Sequence, residues 1–170
     1  MTAAAGETLR PTVIAIGGNG NFTFSAAHAG LHDGEFEPLH GHSFAVTLRL
    51  HGEPDETGMV CDFTKAKDLL ASMIAPLKRR TLMPVSPPGG CCAHDGNQVV
   101  ITCGTKHYSL PAGDVVLLPV SNTTTEQIAA WLLRELVPLL DTPGLRRADL
   151  TLAEAADTSA TVTARLGPLP

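Results

Sequence analysis

The order of hydrophobic periodicities along this chain predicts an α+β fold, with a mostly antiparallel four-stranded sheet and two helices on one face. Three observations carry the prediction. Residues 22–28 and 40–51 alternate apolar and polar side chains, as half-buried strands do. Residues 63–77 and 122–140 repeat apolar residues at helical spacing. Alternation then returns over 150–166. At 170 residues the chain is long enough to bury one core, and a single domain over 1–170 is expected.

Residues 1–10 read as a loose arm, and 12–16 as a short apolar strand that Gly17, Gly18 and Gly20 interrupt. The GGNGN run has no following Lys-Ser/Thr and leads into a strand pattern. A bulge or tight bend is therefore its expected use, rather than a phosphate loop. In the next strand Phe22, Phe24, Ala26 and His28 share one parity. An acidic loop follows. In the second long strand His40, His42, Phe44, Val46, Leu48 and Leu50 share a parity opposite Ser43, Thr47, Arg49 and His51. Asp62 is the expected N-cap of the first helix, whose stripe is Phe63, Ala66, Leu69, Leu70, Met73, Ile74 and Leu77. Pro76 and the basic run Lys78-Arg79-Arg80 mark its end.

Residues 81–95 have loop composition, and 98–103 with 106–110 read as a hairpin about Gly104. We take 84–113 as an insertion carried by the main domain, too short to hold a core of its own. The second helix is expected from about Asn122, with Thr123 and Glu126 at capping-box spacing. Its stripe is Ile128, Trp131, Leu132, Leu136, Leu139 and Leu140, and residues 141–144 stop it. In the final strands Leu150, Leu152 and Glu154 share a parity, as do Ala160, Val162, Ala164 and Leu166.

Composition narrows the function classes. A net charge of −5 argues against nucleic acid as the main partner. No run approaches the roughly 20 apolar residues of a membrane helix, and no secretory signal is visible. A cytoplasmic location and reduced thiols at Cys61, Cys91, Cys92 and Cys103 are the matching expectations.

Residues 22–44 hold four of the seven histidines and four of the five phenylalanines. Alternation puts His28, His40 and His42 on the inward face of two strands. Three imidazoles without a fourth protein ligand describe a catalytic zinc site with a position open to water or substrate. Hydrogen-bonded core histidines are the competing reading. His32, His51, His94 and His107 are expected at the surface. Glu37 lies three residues before His40, close enough to act as general base toward a metal-bound substrate, or else is a solvated loop carboxylate. Glu154 continues an inward parity and would accept hydrogen bonds from paired N–H groups of a heterocycle, unless it lies past the strand end in water.

Taken together, FSAAH, LHGHSF, GMVCDF before a helix, NTTTEQIAAWL and LTLAEA resemble the 6-pyruvoyl-tetrahydropterin synthase and 6-carboxytetrahydropterin synthase family over about residues 22–165. The resemblance implies a tunnelling fold in which sheets join into a trimeric barrel, with trimers stacking as hexamers and active sites at subunit interfaces. It implies Zn2+ on His28, His40 and His42, and a pterin anchored by Glu154 with help from Thr123, Thr124 and Glu126. The implied substrate is 7,8-dihydroneopterin triphosphate.

Two departures from the family pattern stand out. Phe36 occupies the place of the usual cysteine, and Glu37 fits the Glu-x-x-His-Gly-His form of members that cleave the side chain. Lys78 and Arg79 replace an Asp-His pair that relays protons. Arginine cannot act as a base at neutral pH, but the two cations suit an anionic substrate group. A solvated helix end is the alternative for them. The expected function is thus a zinc-dependent lyase or synthase acting on a pterin. A relative recruited to another cyclisation, elimination or condensation, and a non-catalytic metal- or pterin-binding protein, are the competitors.

Overall fold

The protein is described here by a computed structural model covering residues 13–17, 22–140 and 142–166. The expected N-terminal arm, Gly18, Gly20 and Asp141 lie outside these residues. Strand β1 (Val13–Gly17) ends on Gly17, where φ is +102°. The alternating segments form β2 (Thr23–His28) and the long β5 (His40–Gly52). They pair antiparallel with Phe24 opposite Phe44, Ala26 opposite His42, and His28 opposite His40. Beyond the end of β2, β1 pairs with the distal half of β5. On the other side of β5 come β11 (Leu145–Ala153) and then β12 (Ser159–Arg165), both antiparallel.

Helices α1 (Phe63–Ile74) and α2 (Thr125–Leu136) cover one face of this sheet. Asp62 caps α1, its carboxylate accepting from the Thr64 and Lys65 N–H groups. Ala66, Leu70 and Ile74 of α1, and Ile128, Leu132 and Leu136 of α2, meet Phe24, Phe44, Val46, Leu48, Leu50, Leu150 and Leu152 in one core. Burying each such large side chain contributes about 1.5–3 kcal/mol. Two members of the expected stripes fall outside it: Phe63 and Leu139 are exposed. The opposite face is polar, and Asp149 there accepts from His51 Nε2, Arg147 Nε and Thr163 Oγ1, each at 2.7 Å.

The sheet is wider than four strands, and part of it is parallel. The stretch 81–95, expected as loop, contains all but the first residue of β6 (Arg80–Pro84) and the whole of β7 (Gly90–Asp95). After α1 the chain turns through Arg79, with φ at +58° and its N–H bonded to Ser25 O at 2.7 Å. This turn lays β6 parallel to β2. A further strand, β10 (Val115–Leu118), pairs parallel with β6, so seven strands form the main sheet among the described residues. Proline- and glycine-rich flanks hid both pieces, because a four- or five-residue strand in a parallel pair has no local turn to betray it.

Between β6 and β10 lies a three-stranded meander of β7, β8 (Gln98–Cys103) and β9 (Lys106–Pro111). The expected hairpin is its second half. Its apolar residues Cys92, Val99, Ile101 and Cys103 join Ala29, Phe36 and Met83 in a second, smaller core. Consecutive residues of β6 point oppositely, so Leu82 enters the main core and Met83 the small one. All four cysteines are free, and burial pushes the Cys92 thiol up to about 12, with Cys91 and Cys103 adding to the rise. No helix among the described residues is long and apolar enough to cross a membrane.

Candidate active site

Pairing β2 with β5 brings the three histidines together as their parity predicts. The ring centroids of His28 and His40 are 4.6 Å apart, those of His28 and His42 5.2 Å, and those of His40 and His42 4.8 Å. One nitrogen from each ring lies within 4.8 Å of the other two. Phe44 forms the floor, edge-on to His28 and His42 and stacked on Phe24.

Hydrogen bonds set the tautomers. His28 Nδ1 lies 2.8 Å from the Thr123 carbonyl, which accepts only, so Nδ1 carries the proton. His28 Nε2 is then a bare lone pair, buried and without a hydrogen-bond partner. Burial holds the His28 pKa below the usual imidazole value, although the Thr123 bond opposes this. His40 Nδ1 likewise donates to Pro38 O at 2.9 Å, which frees its Nε2. Buried polar atoms are nearly always satisfied, so a bare Nε2 beside two further imidazoles suits a borderline-soft divalent cation such as zinc. This donor set fits the metal inferred from the sequence.

A cavity of about 540 Å³ opens over His28 and His40. Glu37 lines it. The Glu37 carboxylate accepts from the Gly30 N–H at 2.6 Å, its own N–H donates to Gly30 O at 2.9 Å, and its Oε1 lies 3.9 Å from His40 Nδ1. Glu154 lines the far side, one residue past the end of β11 and half-buried. The Thr125 hydroxyl donates to its Oε2 at 2.5 Å. Thr124 and Glu126 lie on the same wall.

Thr123 does not face the cavity. It is fully buried behind His28, its hydroxyl donating to Ala29 O at 3.1 Å. The helix cap consequently falls one residue later than its spacing suggested. Thr124 Oγ1 accepts from the Gln127 N–H, and Gln127 Oε1 reaches back to the N–H groups of Ser121 and Asn122. The basic pair is also apart from the cavity within one chain. Arg79 lines a separate opening, together with His42, Ser25 and Ser43, and Lys78 lines neither.

Two contributors escaped the sequence reading. The acidic loop is a hairpin of β3 (Leu31–His32) and β4 (Glu35–Phe36), turned by Asp33 and Gly34 with φ at 51° and 82°. An Asp-Gly pair with both residues at positive φ is a strong two-residue hairpin signal, and it was available in the sequence. The hairpin places His32, exposed as expected, on the cavity wall. A Cβ on Gly30 would lie 2.8 Å from Glu37 Oε1 and 3.3 Å from His32 Nε2, so carboxylate and imidazole converge over that glycine. Asn122 is the other contributor. It accepts from the Leu31 N–H at 2.8 Å and donates to Leu31 O at 3.1 Å, which ties the hairpin base to the start of α2. No local pattern could reveal a bond across that distance in sequence.

Known proteins share this fold. A Methanocaldococcus jannaschii protein provisionally named 6-carboxy-5,6,7,8-tetrahydropterin synthase is 29% identical over 122 residues, covering 71% of this chain and 75% of that protein. A 6-pyruvoyltetrahydropterin synthase from Plasmodium vivax superposes with a TM-score of 0.85 at 27% identity, covering 91% of this chain and 98% of the other. A variant of the same Plasmodium vivax enzyme, in which a glutamate described as a catalytic residue is replaced by alanine, gives 0.84 at 26% identity over the same shares. The Plasmodium falciparum enzyme shares the fold, with a TM-score of 0.83 at 23% identity over 92% of this chain and 100% of the other. The tunnelling fold is therefore the one this chain adopts. The profile described as 6-pyruvoyl tetrahydropterin synthase matches residues 19–165, and the chain belongs to that family of pterin-processing lyases.

Proposed function

We propose that this protein is a zinc-dependent lyase that eliminates from or cleaves the side chain of a pterin such as 7,8-dihydroneopterin triphosphate, with Glu37 as general base. The observation that carries the reading is the bare, buried Nε2 of His28 in a cluster with two more imidazoles, beside a cavity that Glu37 also lines. His28, His40 and His42 would hold the zinc, which would supply Lewis acidity toward oxygens of the substrate side chain. Glu37 takes the proton. Its Oε1 is occupied by the Gly30 N–H, which orients the carboxylate and leaves Oε2 available. Glu154, steadied by Thr125, accepts from the N–H groups of the pterin ring, with Thr124 and Glu126 beside it. That a Plasmodium vivax relative has a glutamate described as catalytic supports the choice of base.

Assembly as a trimer or hexamer belongs to the same reading. β10 and β12 end the sheet on either side, and edges of this kind are where sheets of neighbouring copies join. Lys78 and Arg79 then serve an anionic group of the substrate from a neighbouring copy. Their replacement of an acid–imidazole pair is also what favours the second reading, a different cyclisation, elimination or condensation at the same centre.

Purified protein should contain about one zinc per chain, lost in His42→Ala, and a metal-free preparation would sink the site. Incubation with 7,8-dihydroneopterin triphosphate, followed by mass spectrometry, tests the reaction. Glu37→Gln should lower turnover by about 10²–10⁴-fold with zinc retained. Tight pterin binding without turnover would identify a non-catalytic binding protein. Neither binding nor turnover would leave the second reading.

A further inference from the structure

We propose that the inserted sheet β7–β9 is a positioning device for Glu37, acting through Thr105 on Glu35. The inference rests on the reading of Glu37 as general base. The β3–β4 hairpin is weak by itself, its strands two residues long and paired with Leu31 opposite Phe36 and His32 opposite Glu35. A two-stranded ribbon of that size does not hold its shape in water. Glu37 follows it directly in sequence, so any wander of the hairpin moves the carboxylate.

The structure ties the hairpin down at three points, and the insertion supplies two of them. At the β8–β9 turn, the Thr105 N–H donates to Glu35 Oε1 at 3.2 Å, and the Thr105 hydroxyl donates to the same oxygen. These bonds, the hydroxyl's first, hold the Glu35 carboxyl below its ordinary pKa, so an ionised carboxylate accepts both at neutral pH. The turn lies directly against Glu35, since a Cβ on Gly104 would come within 3.1 Å of the Glu35 Cβ. The neighbouring Cys103 thiol donates to Gly34 O at 3.4 Å.

The second tie is apolar. Phe36, 1% exposed, sits in the small core with Val99, Ile101 and Met83. The third is Asn122 at the hairpin base. With both ends held, the chain reaches residue 37 in one place. There the reciprocal Gly30–Glu37 bonds fix the carboxylate over the cavity. Glu35 and Thr105 are absent from the cavity lining, so they act through Glu37 and are positioning residues.

Thr105→Val removes the hydroxyl bond at an exposed turn position. Far-UV circular dichroism should match the parent. We expect the Gly30 and Glu37 amides to exchange with solvent about tenfold faster, read by NMR on the zinc-loaded protein. With 7,8-dihydroneopterin triphosphate, kcat should fall about 10- to 100-fold while KM stays within about twofold, because Glu154 and its neighbours are untouched. Thr105→Ser should restore both quantities, and Glu35→Ala combined with Thr105→Val should be no worse than either alone. Parental amide exchange and parental kcat in Thr105→Val, with Glu37→Gln inactive, would overturn the inference and leave the function standing. An active Glu37→Gln would remove the function reading instead. The amide exchange then decides by itself whether the insertion holds the hairpin, and unchanged exchange rejects it.

Discussion

Thr123 links the stability of the fold to the metal centre, and replacing it by valine separates the two. The substitution keeps the branched shape and deletes one hydroxyl. That hydroxyl donates to the carbonyl of Ala29 at 3.1 Å, and both residues are fully buried. A buried carbonyl that loses its donor costs about 1–3 kcal/mol. For a chain of this size, 2 kcal/mol corresponds to about 4–8 °C in Tm. The second consequence is at His28. The Thr123 carbonyl fixes the His28 tautomer through the 2.8 Å bond to Nδ1, and it keeps its place because the hydroxyl pins the residue from the other side. Outer-shell partners of metal-bound histidine are worth about 10–100-fold in affinity, so Thr123→Val should weaken zinc binding by about tenfold. Urea unfolding of the metal-free protein reads the first effect, and competition against a chromophoric chelator reads the second. Loss of stability with parental zinc affinity would refute the anchoring role and leave only a packing role. Parental values in both, within about 0.5 kcal/mol and twofold, would refute the whole line of reasoning.

Two further predictions follow from named contacts. Gly30→Ala places a methyl 2.8 Å from Glu37 Oε1 and 3.3 Å from His32 Nε2, both flexible side-chain ends. The fold should accept it with a Tm change of a few degrees at most, while kcat drops about tenfold or more as Glu37 is displaced, measured by thermal unfolding and steady-state kinetics. Asp149 lies on the polar face of the sheet. Burial pushes its carboxyl up, but the bonds from Arg147, Thr163 and His51 outweigh that and hold its pKa below the ordinary value. A carboxyl depressed in the folded state adds stability above its unfolded pKa, near 3.9, and loses it as pH falls through the folded pKa. Asp149→Asn should therefore cost about 2 kcal/mol at pH 7 and flatten the loss of stability below about pH 4, followed by urea titrations across pH. An unchanged acid limb would show that Asp149 is not the responsible group.

The cavity holds its acids and bases by local means. Glu37, His32 and Gly30 all come from the eleven residues between β2 and β5, whereas Glu154 and Thr125 arrive from the far end of the chain. The proton-handling side of the site is therefore built on a weak hairpin, and the ring-holding side on a helix terminus and a strand end. Substitutions in the hairpin should act on kcat, and those around Glu154 on KM.

What the sequence determined by itself was most of what depends on periodicity within one element. Alternation in β2 and β5 assigned Phe24, Phe44 and Leu48 to the core and put three histidines on the same face, because side chains on a strand can point only two ways. Helical spacing and the Asp62 cap located α1 and α2 in the same manner. The tertiary structure decided what depends on partners far apart in sequence. β6 and β10 exist because parallel neighbours accept them, and their own residues carry no turn signal. Thr123 bonds Ala29 and His28 rather than capping α2, a role that Thr124 takes. Glu154 passes the strand end yet stays in the cavity, since Thr125 captures it. Non-local contacts are made only once loops have closed, and no window of the sequence contains both of their ends.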